Sequence, residues 1–84
     1  MLTIDGSPDR MVRRARAYIA TIPGAVSGQN GHAATFRVAC ILVQKFGLSE
    51  GQAWPLLLEF NERCQPPWTE RELRHKLSDA LKKG

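Results

Sequence analysis

Strand signals are missing from this 84-residue chain. Nowhere do β-branched residues alternate with polar ones between turn residues, which excludes a sheet and leaves helices. No apolar run is long enough to span a membrane and no signal peptide leads the chain, so a cytoplasmic protein with no membrane partner is expected. Cysteine is scarce. Cys40 and Cys64 both fall in apolar periodic segments, where reduced, mostly buried thiols are a more economical expectation than a disulfide. A zinc site built from them with His32 and His75 would have no CxxC or HxxxH pair to anchor it. No carboxylate pair and no nucleophile–base arrangement suggests catalysis. The chain is therefore expected not to be an enzyme and to need no cofactor.

What the chain does have is helical periodicity. With 43% hydrophobic residues it can build one modest core, so residues 1–84 are expected to form a single domain. Four segments repeat apolar residues at 3.6 spacing. The first runs from Pro8 to Thr21, with Ser7 as its cap, Asp9 suited to the dipole, and Met11, Val12, Ala15, Tyr18, Ile19 and Ile22 on one face. The second runs from Ala33 to Phe46 and stops at Gly47. It is apolar nearly all round, which predicts a central, buried helix. The third runs from Glu50 to Arg63, with Ser49 and Gln52 as a capping box. Pro55 either bends it or moves its start to Trp54. The fourth runs from Glu70 to Lys82, opened by the capping box of Thr69 and Glu72 after the extended corner at Pro66-Pro67. The fold class is therefore all-α, a compact bundle of four short helices.

The charge is unevenly spread. Twelve Lys and Arg against eight Asp and Glu give +4, a balance that suits a polyanion. On the fourth helix Glu70–Arg74, Glu72–Lys76 and Asp79–Lys83 stand at i,i+4, which reads as a solvated face. Arg71 and Lys82 are left over. On the first helix Asp9 can pair with Arg13. Arg14 and Arg16 have no acidic residue at helical spacing, and Arg10 shares the basic face. The third helix holds Glu50, Glu59 and Glu62 and is expected to face away from a polyanion.

The stretch Ser27-Gly28-Gln29-Asn30-Gly31-His32 leads into the second helix, with Arg37 about one turn inside. A helix N-terminus offers unpaired N–H groups, and glycines allow an anion close to the backbone. Gln29, Asn30 and His32 are polar, and Arg37 can fork onto a phosphate. The plainer alternative is that Asn30 caps the helix, Gly28 and Gly31 shape a turn, and Arg37 pairs with Glu59 or Glu62. No Lys-Ser/Thr follows the glycines, so this is not a nucleotide-binding P-loop. A second pattern, Gly47-Leu48-Ser49 between two helices, fits a helix-turn-helix. The helix that would then read DNA is acidic and contains Pro55.

Residues 28 to 80 resemble the primase C-terminal helical domain. The resemblance is carried by Thr35-Phe36-Arg37-Val38-Ala39, by Phe46-Gly47-Leu48-Ser49, by Leu57 to Pro67 with Asn61, Arg63, Cys64 and Pro66, and by Trp68 to Leu73. Where many such domains carry Arg-Asn before the helix, this chain has Gly31-His32. The resemblance implies a non-catalytic helical module of a phage, plasmid or mobile-element replication protein, beside a primase or helicase domain. It further implies template or single-stranded DNA, and an initiating nucleoside triphosphate, as ligands. The residues expected to meet phosphate are Gln29, Asn30, Gly31, His32 and Arg37, flanked by Arg10 and Arg14 on the first helix and Arg71 and Lys82 on the fourth. Two alternatives stand beside this: a structural connector or protein-interaction module, for which Trp54, Leu58 and Trp68 would form an exposed apolar patch, and a helix-turn-helix DNA-binding domain.

Overall fold

A computed structural model describes residues 8–26, 28 and 31–83, with backbone only at Pro8 and Asp9. The expected Ser7 cap and Asp9–Arg13 pair lie outside the described residues. The described residues form four α-helices: α1 (Pro8–Ala20), α2 (Gly31–Cys40), α3 (Glu50–Asn61) and α4 (Glu70–Lys83). Among the described residues there is no strand, only an isolated parallel bridge between Val26 and Gln65. The all-α bundle read from periodicity is the observed fold. Among the described residues no helix is long and apolar enough to cross a membrane.

α2 and its continuation occupy the middle, packed on both α4 and α3, while α1 lies on α3. The core joins Ala15 and Ile19 of α1, Val38, Ala39 and Leu42, the α3 stripe Ala53, Leu56, Leu57 and Phe60, and Leu73, Leu77 and Ala80 of α4. Each set keeps its helical spacing, so burial follows the sequence period. Tyr18 departs from the expected α1 face. It is 43% exposed and tilts against Phe46 at 5.7 Å, because its ring reaches the rim of the core and not its interior.

Local chemistry sets the helix ends. Ser49 Oγ accepts from the Gln52 N–H while Gln52 Oε1 accepts from the Ser49 N–H, at 3.3 and 2.9 Å. Thr69 and Glu72 repeat this reciprocal cap on α4 at 3.2 and 2.9 Å. α3 therefore starts at Glu50 and carries Pro55 inside it. Gly51 and Pro55 are both exposed, so the bond that Pro55 cannot donate to the Gly51 carbonyl is missing on the outer side of the helix and not in the core. α2 does not run as one α-helix to Phe46. From Ile41 to Lys45 it widens into a π turn, in which the Phe46 N–H reaches the Ile41 carbonyl at 3.1 Å. Gly47, at φ +66°, ends it in the left-handed region that glycine tolerates.

The corner between α3 and α4 is held by side chains from the conspicuous Asn-Glu-Arg-Cys segment. Asn61 Nδ2 donates to the Trp68 carbonyl (2.9 Å) and Asn61 Oδ1 accepts from the Trp68 N–H (2.7 Å). Trp68 Nε1 donates to Thr35 Oγ1 of α2 at 2.8 Å, and Thr35 is fully buried. Arg63 Nη2 donates to the carbonyls of Ile19 and Ile22, both at 3.0 Å, and so caps the C-terminus of α1. Cys64 is buried behind it, and both cysteines are unbridged. The Gln65–Pro66 peptide is cis.

Candidate nucleic-acid interface

Arg37 sits on the side of α2 that faces the α1–α2 connection. A groove of about 540 Å³ runs there, with residues 22–26 on one wall and Ala33, Ala34, Arg37 and Val38 on the other. The groove exists because the connection is pinned away from α2 and onto the α3–α4 corner. The Gln65 N–H donates to the Ala25 carbonyl at 2.8 Å, and Gly24 lies directly on the Arg63 backbone. Arg37 is exposed and, among the described residues, makes no hydrogen bond or ion pair. The expected inward pairing with Glu59 or Glu62 does not form, and Glu59 instead meets Arg16 of α1, with contacts of 3.0–3.1 Å. Arg16, which the helical spacing left over, therefore has a partner across the bundle. Gln29 and Asn30 lie outside the described residues. Gly31 is buried, and a Cβ there would come within 3.1 Å of the Val26 carbonyl oxygen, so a side chain would fit only tightly.

His32 does not join Arg37. Five residues apart on one helix, the two point about 140° from each other. His32 instead meets α4, where Lys76 Nζ contacts its Nδ1. An ammonium has no lone pair, so a charged Lys76 donates and His32 accepts, with its own proton on Nε2. Lys76 also lies 4.2 Å above the Trp68 ring, and His32 meets that ring edge-on at 6.4 Å. Together with Arg71, Glu72 and His75 these side chains bound an open cavity of about 340 Å³. Arg10 and Arg14 are exposed on α1 and Lys82 is exposed near the end of α4. The expected phosphate contacts thus divide among the Arg37 groove, the His32–Arg71 cavity, and the outer faces of α1 and α4.

The paired face expected on α4 is only partly formed. Glu70 and Arg74 meet at 3.3 Å, and Arg74 also covers the Trp54 ring at 4.2 Å. Glu72 is turned to its cap instead of to Lys76. The Thr69 N–H, then the Thr69 hydroxyl, hold its carboxyl below the usual carboxylate range. Asp79 pairs with His75 at 3.5 Å, not with Lys83.

Lys76 was missed as a site residue, although a signal for it existed. It stands three residues after Leu73 and four before Ala80, within the buried stripe. Desolvation pushes its amine below the ordinary value of 10.5, opposed by the charges of Glu72 and Asp79. A lysine that binds its proton less tightly when folded loses it first in the folded state. Folding stability from this group therefore rises as pH climbs from the folded pKa towards 10.5. Thermal melts from neutral to alkaline pH are expected to show this rise in the wild type. Lys76→Met is expected to lack it and to be no less stable at neutral pH.

Trp54 and Trp68 are both half-buried and each is covered by a cation, so the exposed patch sought with Leu58 reduces to Leu58 itself, 38% exposed. Compared with protein-family models, curated proteins and solved structures, the chain matches none.

Proposed function

We propose that this chain is a non-catalytic nucleic-acid-binding module that serves a DNA primase or primase–helicase in replication, holding template phosphates in the Arg37 groove. The observation that carries the reading is Arg37 itself. It is exposed in the wall of a groove and, among the described residues, makes no ion pair. A guanidinium kept unpaired in such a place suits a planar, bidentate partner such as phosphate. The net charge of +4 favours the same ligand, and the motif resemblance supplies the replication setting. The acidic residues of α3 lie away from the groove, which weighs against α3 as a DNA-reading helix. The coverage of both tryptophans removes support from a connector.

Contacts of this kind are sequence-tolerant and salt-sensitive. Fluorescence anisotropy with a labelled single strand is expected to show binding at low salt, with the logarithm of affinity falling linearly with the logarithm of salt concentration. Similar affinities are expected for unrelated sequences. No binding at low salt, with or without added nucleotide, would contradict the reading.

A further inference from the structure

Among the described residues, Lys76 is the one charged side chain in the buried set, at 5% exposure. Taking an ammonium out of water is costly unless strong partners replace the lost hydration. Here the replacements are a neutral imidazole nitrogen and the face of Trp68. Neither acid nearby is directed at it. Glu72 is bonded to Thr69, and Asp79 meets His75. The amine is thus buried, under-compensated, and set in the wall of an open cavity that Arg71 shares.

We propose that this cavity, bounded by His32, Trp68, Arg71, Glu72, His75 and Lys76, is a second phosphate-group site on the opposite side of α2 from the Arg37 groove, with the Glu72 carboxylate held on its Thr69 cap. The buried Lys76 ammonium supplies a fixed donor and the exposed Arg71 guanidinium a movable one. Trp68 forms the apolar wall, and its indole N–H is already committed to Thr35. An oxyanion seated there would supply the negative charge that Lys76 lacks, and this is where the buried cation becomes useful. The inference deepens the reading above by adding a second phosphate contact. It stands on different side chains, so either can fail alone.

The test follows the Trp68 indole N–H and the His32 and His75 ring signals by NMR while inorganic phosphate is added. A saturable shift is expected in the wild type. Lys76→Met and Arg71→Gln should each weaken it about tenfold, the worth of one charge-assisted hydrogen bond. Arg37→Ala should leave it unchanged even where single-strand binding is lost. Arg71 is exposed, so its variant folds whatever Lys76 contributes to the core. Short oligonucleotides with and without a 5′-phosphate identify the source. Tighter binding of the phosphorylated strand points to a chain end, equal binding to backbone phosphates, and a response to inorganic phosphate alone to the free ion. A shift that never saturates, or one that neither variant weakens, overturns the proposal.

Discussion

Gly24→Ala is expected to destabilise the bundle by about 3 kcal/mol, the upper range for overpacking a site that cannot relax. A Cβ at this position would lie 2.0 Å from the Arg63 carbonyl oxygen and 2.4 Å from its carbon. Those atoms are backbone and have no rotamer to escape into. The chain must instead lift off, which removes the Gln65 N–H bond to Ala25 and the Val26–Gln65 bridge. It also moves the wall of the Arg37 groove. For a domain of this size the loss corresponds to a melting temperature lower by roughly 15 °C. Gly51→Ala is the control, since a Cβ there meets nothing within 4 Å. Circular dichroism melts of the two variants make the comparison. If both melt like the wild type, the close approach of residues 24 and 63 is not a feature of the fold.

Arg63→Ala carries the second large effect. One guanidinium nitrogen serves two carbonyls at the end of α1, Ile19 and Ile22, and the same side chain lies 5.6 Å from the Phe60 ring centre. Hydrogen bonds from a charged donor are each worth about 1.5–3 kcal/mol. Partial exposure reduces the pair here to an expected loss of about 2 kcal/mol. That is a drop in melting temperature of roughly 10 °C. Hydrogen exchange should speed up most at the C-terminal turn of α1, since that is what the guanidinium holds. Arg63→Lys should recover only part of the loss, because an ammonium keeps the donors but not the planar group set over the Phe60 ring. Uniform exchange across the molecule, with no change localised to α1, would remove Arg63 from this role.

These two residues mark where the sequence stops being readable. Helix type and the caps at Ser49 and Thr69 are local chemistry within four residues, and both were legible. Arg63 capping α1, Gly24 lying on Arg63, and Arg16 reaching Glu59 join residues more than thirty positions apart. No periodicity encodes them. The π turn at Ile41–Lys45 likewise left no signal in an apolar run that suits an unbroken α-helix. The candidate site was legible in one respect: Arg37 interrupts an apolar helix and does face solvent. Its separation from His32 was available from helical geometry, since five residues cannot share a face. The burial of Lys76 was available too, from its place between Leu73 and Ala80. An i,i+4 acid at Glu72 suggested a solvated pair, whereas the capping box had the stronger hold on that carboxylate.

Most of the residues that carry the resemblance to a primase module are structural in this fold. Thr35, Asn61, Arg63, Cys64 and Trp68 tie α1, α2 and the α3–α4 corner together. Arg37 is different, since it contributes nothing visible to that framework. A side chain that stability does not explain is the natural place to look for binding.

The most direct test is therefore one titration of a labelled single strand against the wild type and Arg37→Ala at low salt, with melting temperatures measured on the same samples. Binding weakened about tenfold or more, the worth of one charge-assisted contact, with an unchanged melting temperature, is the expected result. Undiminished binding by Arg37→Ala, or a variant whose main defect is lost stability, would contradict the assignment of the groove.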